Sequence, residues 1–143
     1  MGNIYDYYAA TDDAEALSVF EDGCIDDPFG TVGLKGADPW LVLVTVAAHL
    51  TGASEEEVEA DPRFGALLSD PEHEGHWLVS LPGSLRDALA TADAGRLLEA
   101  ASAWTRTEDG AGQDPELLAD FLGRLADLAR DAGRRGLYCG MSL

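Results

Sequence analysis

The chain has 143 residues, 46% of them hydrophobic, and it carries 27 acidic side chains against 9 basic ones, a net charge of −18. That length supports one domain with a real core, and that hydrophobic share argues against a disordered chain. The charge argues against nucleic acid and against anionic membrane, because both select a basic footprint, and leaves a solvated surface or a basic protein as the partner it suits.

The opening residues, Met1-Gly2-Asn3-Ile4-Tyr5-Asp6, lack the basic and apolar regions of a secretory leader, so a cytoplasmic protein is expected. Gly2 suggests myristoylation, but Asp6 stands where that motif takes Ser or Thr. Asn3 to Ala10 reads as a strand, since Ile4, Tyr5, Tyr7 and Tyr8 are β-formers. Thr11 and Asp12 then start a short helix, with Glu15 completing a capping box, Ala16, Leu17 and Phe20 as its apolar stripe and Gly23 at its end. Residues 24–37 read as a loop of turn residues, including Asp26-Asp27-Pro28-Phe29-Gly30.

The longest apolar run follows, from Pro39 to Leu50. Val42, Val44 and Val46 alternate as in a strand, but the ends favour a helix. Asp38 is an N-cap residue, Pro39 fits the first helical position and Gly52 follows the last periodic residue. A helix apolar on nearly all sides is normally a buried one, and this run is too short to cross a bilayer. Ser54 with Glu57 forms a second capping box, opening an acidic helix that Asp61-Pro62 stops. Phe64, Leu67 and Leu68 suit an apolar turn against the core, and Ser69 to Gly75 an acidic loop.

His76 to Leu81 reads as a second strand, broken by Pro82-Gly83. Leu85, Ala88, Leu89 and Ala92 mark a helix. Asp93 caps the next, which places Leu97, Leu98, Ala101 and Trp104 on one face. Thr107 to Gln113 is a polar loop and the best candidate for disorder. Asp114-Pro115 begins the clearest helix, with Leu117, Phe121, Leu125, Leu128 and Ala132 as one stripe. Asp120–Arg124 and Asp131–Arg135 are spaced for ion pairs, and Arg130, Arg134 and Arg135 suit the negative end of its dipole. Gly136 closes this helix and Leu137 to Ser142 forms a terminal strand. The order β-α-α-α-β-α-α-α-β predicts an α+β fold, with a small mixed sheet of about three strands covered by helices, one of them buried and central.

Chemistry-bearing residues are sparse. His73 and His76 flank Glu74, but zinc needs three or four ligands and no further cluster supplies them, so neither metal nor cofactor is expected. His49 reads as a half-buried histidine or as a general base lining a pocket, and no nucleophile pairs with it. Ser80 and Ser84 lie in no nucleophile elbow, and Gly30 to Gly36 lacks the spacing of a phosphate loop. Cys24 and Cys139 are expected to be free thiols in a reducing compartment. No residue is assigned a catalytic role. Asp26, Asp27, Trp40 and His49 are the candidate binding residues.

Four features resemble the YfbM-like family, small bacterial proteins of a domain-of-unknown-function class. The chain runs from Met1-Gly2 into an aromatic strand and an acidic helix. A tryptophan-bearing apolar helix ends in Leu50-Thr51-Gly52. A strand passes into a helix through Leu81-Pro82-Gly83-Ser84-Leu85, and the last helix, through Ala129-Arg130-Asp131-Ala132, leads to a terminal strand. Trp40 stands nearly one helical turn farther from that Leu-Thr-Gly than the family's tryptophan does. The resemblance implies an α+β fold and no established activity. The expectation is an acidic, bacterial, non-catalytic protein-binding module, a monomer or weak dimer with a basic protein as partner. Its alternatives are an immunity protein or inhibitor of a basic toxin or nuclease, and a small hydrolase-like or ligand-binding enzyme with a pocket near His49.

Overall fold

A computed structural model describes residues 4–22, 39–72 and 75–142 of the chain. Its elements are β1 (Ile4–Ala10), α1 (Asp13–Asp22), α2 (Pro39–Thr51), α3 (Glu55–Ala60), β2 (His76–Ser80), α4 (Gly83–Thr91), α5 (Ala94–Thr105), α6 (Pro115–Ala132) and β3 (Gly136–Ser142). This is the α+β order that capping and periodicity predict. The strands form one sheet in the order β1-β3-β2. β3 is antiparallel to both neighbours, with Tyr8 opposite Tyr138 and Val79 opposite Cys139. Both ladders are therefore antiparallel, where a mixed sheet was expected. The last strand enters between the first two, so β1 and β2 point the same way on either side of it.

Strand alternation sorts side chains onto two faces. Tyr8, Leu78 and Tyr138 face α1 and form a small cluster with Ala16 and Phe20. Tyr7, Val79, Leu137 and Cys139 face the other way, into the main core with the remaining helices. Helices thus cover both faces of the sheet, and α6 packs on both sheet and helices: it meets β1, β3, α4 and α5. Tyr7 sits edge-to-face on Phe121, with ring centres 5.5 Å apart, a contact that contributes about 1 kcal/mol beyond its buried area. Such a hub needs a wide apolar face. The buried residues of α6 run Leu118, Phe121, Leu122, Leu125, Ala126, Leu128, Ala129 and Ala132. At 3.6 residues per turn they span an arc of roughly 160°. Leu117 falls just outside it and is 69% exposed, unlike the narrower stripe that includes it.

α2 is buried along Val42, Leu43, Val44, Val46 and Ala47, as its composition requires. Its neighbours are α3, α4 and α5 rather than the strands, so it is the core of the helical layer. Its predicted cap, Asp38, lies outside the described residues. Gly52, at φ 77°, supplies the left-handed turn that follows. The other caps form as read. Glu15 N–H donates to Asp12 Oδ1 at 2.8 Å while Glu15 Oε1 accepts from Thr11 N–H. Ser54, Asp93 and Asp114 cap α3, α5 and α6.

Three further details differ from expectation. Leu98 is 44% exposed, because α5 buries Leu97, Ala100, Ala101 and Trp104 instead. Gly133, at φ 61°, closes α6, and Gly136 opens β3. The segment after α5, the candidate for disorder, is tied down. Thr107 Oγ1 donates to Trp104 O at 2.7 Å and accepts from Gly110 N–H at 3.0 Å. Gly110 is buried there, and any larger residue would drive a Cβ into the Trp104 carbonyl.

Candidate functional site

The carboxyl ends of β1 and β2 and the amino end of β3 lie at one end of the sheet. α1 and α4 start there and α6 stops there. Between them opens a cleft of about 570 Å³, lined by Thr11, Asp13, Arg63, Leu81, Gly83, Arg86, Gly136 and Tyr138 among others. Asp13 is the first residue of α1, where a carboxylate suits the helix dipole. Arg63 is placed by a local turn: its N–H donates to Asp61 Oδ1 at 2.8 Å, and its carbonyl accepts from the buried Ser80 hydroxyl at 2.8 Å. Its guanidinium meets Asp13 as a fork, Nη1 to Oδ2 at 2.8 Å and Nη2 to Oδ1 at 2.7 Å. Tyr138 OH donates to the same Oδ1 at 2.8 Å. One carboxylate therefore joins α1, β3 and the segment before β2.

These contacts set the ionisation of the trio. The hydrogen bonds from Arg63 hold the Asp13 carboxyl below its ordinary value, with the Tyr138 hydroxyl and the Arg63 charge adding to the effect against some desolvation. The same fork raises the Arg63 guanidinium. Burial, then the hydrogen bond to Asp13, pushes the Tyr138 phenol up to about 12. A carboxylate so held is a poor proton acceptor and a good tie. Asp13 and Arg63 are each more than 40% exposed in their side chains, so the ion pair itself contributes about 1 kcal/mol or less. Arg86, on α4, donates Nη1 to the carbonyls of Arg134 and Arg135 at 3.1 and 2.9 Å, fastening the exit of α6 to the start of α4.

Other arginines behave alike. Arg96 Nη2 donates to Leu50 O at 3.3 Å, at the end of α2. Arg130 Nη2 donates to Ala92 O at 2.7 Å, just past α4. Arg135 donates to Ala132 and Asp131 carbonyls at the end of α6. Positive side chains thus sit against the negative ends of helices. Arg130, the basic residue in the last turn of α6, also reaches across to α4, and Arg135 bonds the carbonyls at the end of α6 itself.

The carboxylates of α3, by contrast, face outward. On α3, Glu55, Glu56, Glu57 and Glu59 are exposed while Val58 anchors the helix in the core. Thr45 Oγ1 donates to Glu55 Oε1 at 3.2 Å, and among the described residues none of the four glutamates forms an ion pair. Asp61, Asp70 and Glu72 continue the acidic character toward β2.

Two of the four candidate binding residues can be placed. Asp26 and Asp27 lie outside the described residues, as do Cys24 and His73. Trp40 and His49 sit in the first and last turns of α2, about 13 Å apart along its axis. Trp40 packs edge-to-face on Phe64, with ring centres 6.1 Å apart, and so acts as a core-edge aromatic. Among the described residues His49 Nε2 has no hydrogen-bond partner; it lies 3.7 Å from Glu99 Oε2, and His49 is not among the walls of the cleft. His76 stacks on Phe20 at 4.3 Å. Cys139 is a free thiol, fully buried, and burial drives its ionisation far up, out of the range of a nucleophile. Among the described residues no group of three His, Cys, Asp or Glu side chains could hold a metal ion, and no helix is long and apolar enough to cross a membrane.

The Asp13–Arg63–Tyr138 trio has no sequence signature. Its members are 50 and 125 residues apart and meet only through the sheet order. Compared with protein-family models, with curated proteins and with solved structures, the chain matched none.

Proposed function

We propose that the protein is a non-catalytic binding module of the YfbM-like kind, which takes a basic protein partner on its acidic surface around α3. One observation carries this reading: the unequal placement of the two kinds of charge. Arginines 63, 86, 96, 130 and 135 lie against the protein's own carboxylate and carbonyl oxygens. The α3 glutamates are exposed on a capped helix anchored by Val58, and among the described residues no cation is paired to them. In a chain of −18 such a face attracts basic proteins over a Debye length and speeds their encounter. An inhibitor of a basic toxin or nuclease is the concrete version, since a nuclease carries a basic groove for its substrate. The alternative reading is a small hydrolase-like or ligand-binding enzyme with a pocket near His49, whose Nε2 lies 3.7 Å from Glu99 Oε2.

Affinity capture from the source organism tests the proposal. The bait is run at about 50 and 500 mM salt, across which the screening length falls from about 14 to 4 Å. A basic protein retained at low salt and lost at high salt is the expected result. Recovery of no partner at low salt, or of one held equally at both, would overturn it.

A further inference from the structure

We draw no further inference here: the strongest candidate, the cleft where the carboxyl ends of β1 and β2 meet the start of α4, points at no ligand, because Arg63, Asp13 and Tyr138 satisfy one another across it and Arg86 is held by the carbonyls of Arg134 and Arg135.

Discussion

Tyr138 shows how much one side chain can hold. Its ring is buried between β3 and α1, and its hydroxyl reaches the one carboxylate that joins three segments. Tyr138→Phe removes a hydrogen bond to a charged acceptor and should cost about 1.5–3 kcal/mol in urea denaturation at pH 7. The pH dependence has a definite sign. A phenol raised from 10 to about 12 by folding stabilises the protein fully below pH 10, and this contribution is lost as pH rises toward 12. The gap between wild type and Tyr138→Phe should therefore narrow above pH 10; a constant gap to pH 11.5 would contradict the assignment. Asp13 acts at the other end. Its carboxyl is depressed below 3.8, so its contribution is present above that pH and disappears as pH falls through the folded value. Asp13→Asn should flatten the acid limb of the stability profile. Neither effect is readable from local sequence, because Asp13, Arg63 and Tyr138 are brought together by the insertion of β3 between β1 and β2.

At the scale of elements, local chemistry was a good guide where local physics decides. The caps at Asp12, Ser54, Asp93 and Asp114 mark helix starts because a side-chain oxygen can satisfy a free amide without help from the rest of the fold. Burial was less readable, because it depends on how many neighbours an element has. α6 meets four and buries a broad arc that no narrow stripe anticipates, and Leu117 drops out of it. Two glycines make the point testable. Gly123 lies within α6 with open space where a Cβ would go, so Gly123→Ala should stabilise by about 0.5–1 kcal/mol. Gly110 abuts the Trp104 carbonyl, so Gly110→Ala should destabilise by about 1–3 kcal/mol through overpacking. Thermal melts giving the two the same sign would refute the packing described for one of them. Arginine use gives a second comparison. Arg130→Ala, which frees the carbonyls of Ala90 and Ala92, should cost about 1 kcal/mol more than Arg124→Ala, whose exposed pair with Asp120 is worth about 0.3–0.5 kcal/mol.

At the scale of the whole molecule, net charge governs behaviour more than any one contact. A chain at −18 repels itself, and salt relieves the repulsion. Raising sodium chloride from about 10 to 500 mM should raise the melting temperature, and an unchanged or lower value in calorimetry would contradict the self-repulsion. The same field is the basis of the proposed binding. Here the sequence was informative, since −18 is visible in the bare chain and Ser54 with Glu57 marks a capped acidic helix, whereas the anchoring of that helix in the core by Val58 needed the fold. The measurement that bears most directly on the binding account is the association rate of the captured basic partner, for wild type and for a variant carrying Glu55→Gln, Glu56→Gln, Glu57→Gln and Glu59→Gln. Electrostatic docking on α3 predicts at low salt a drop of about tenfold or more in the association rate, with the dissociation rate changed less and the difference vanishing near 500 mM salt. An unchanged association rate in the folded variant would contradict it.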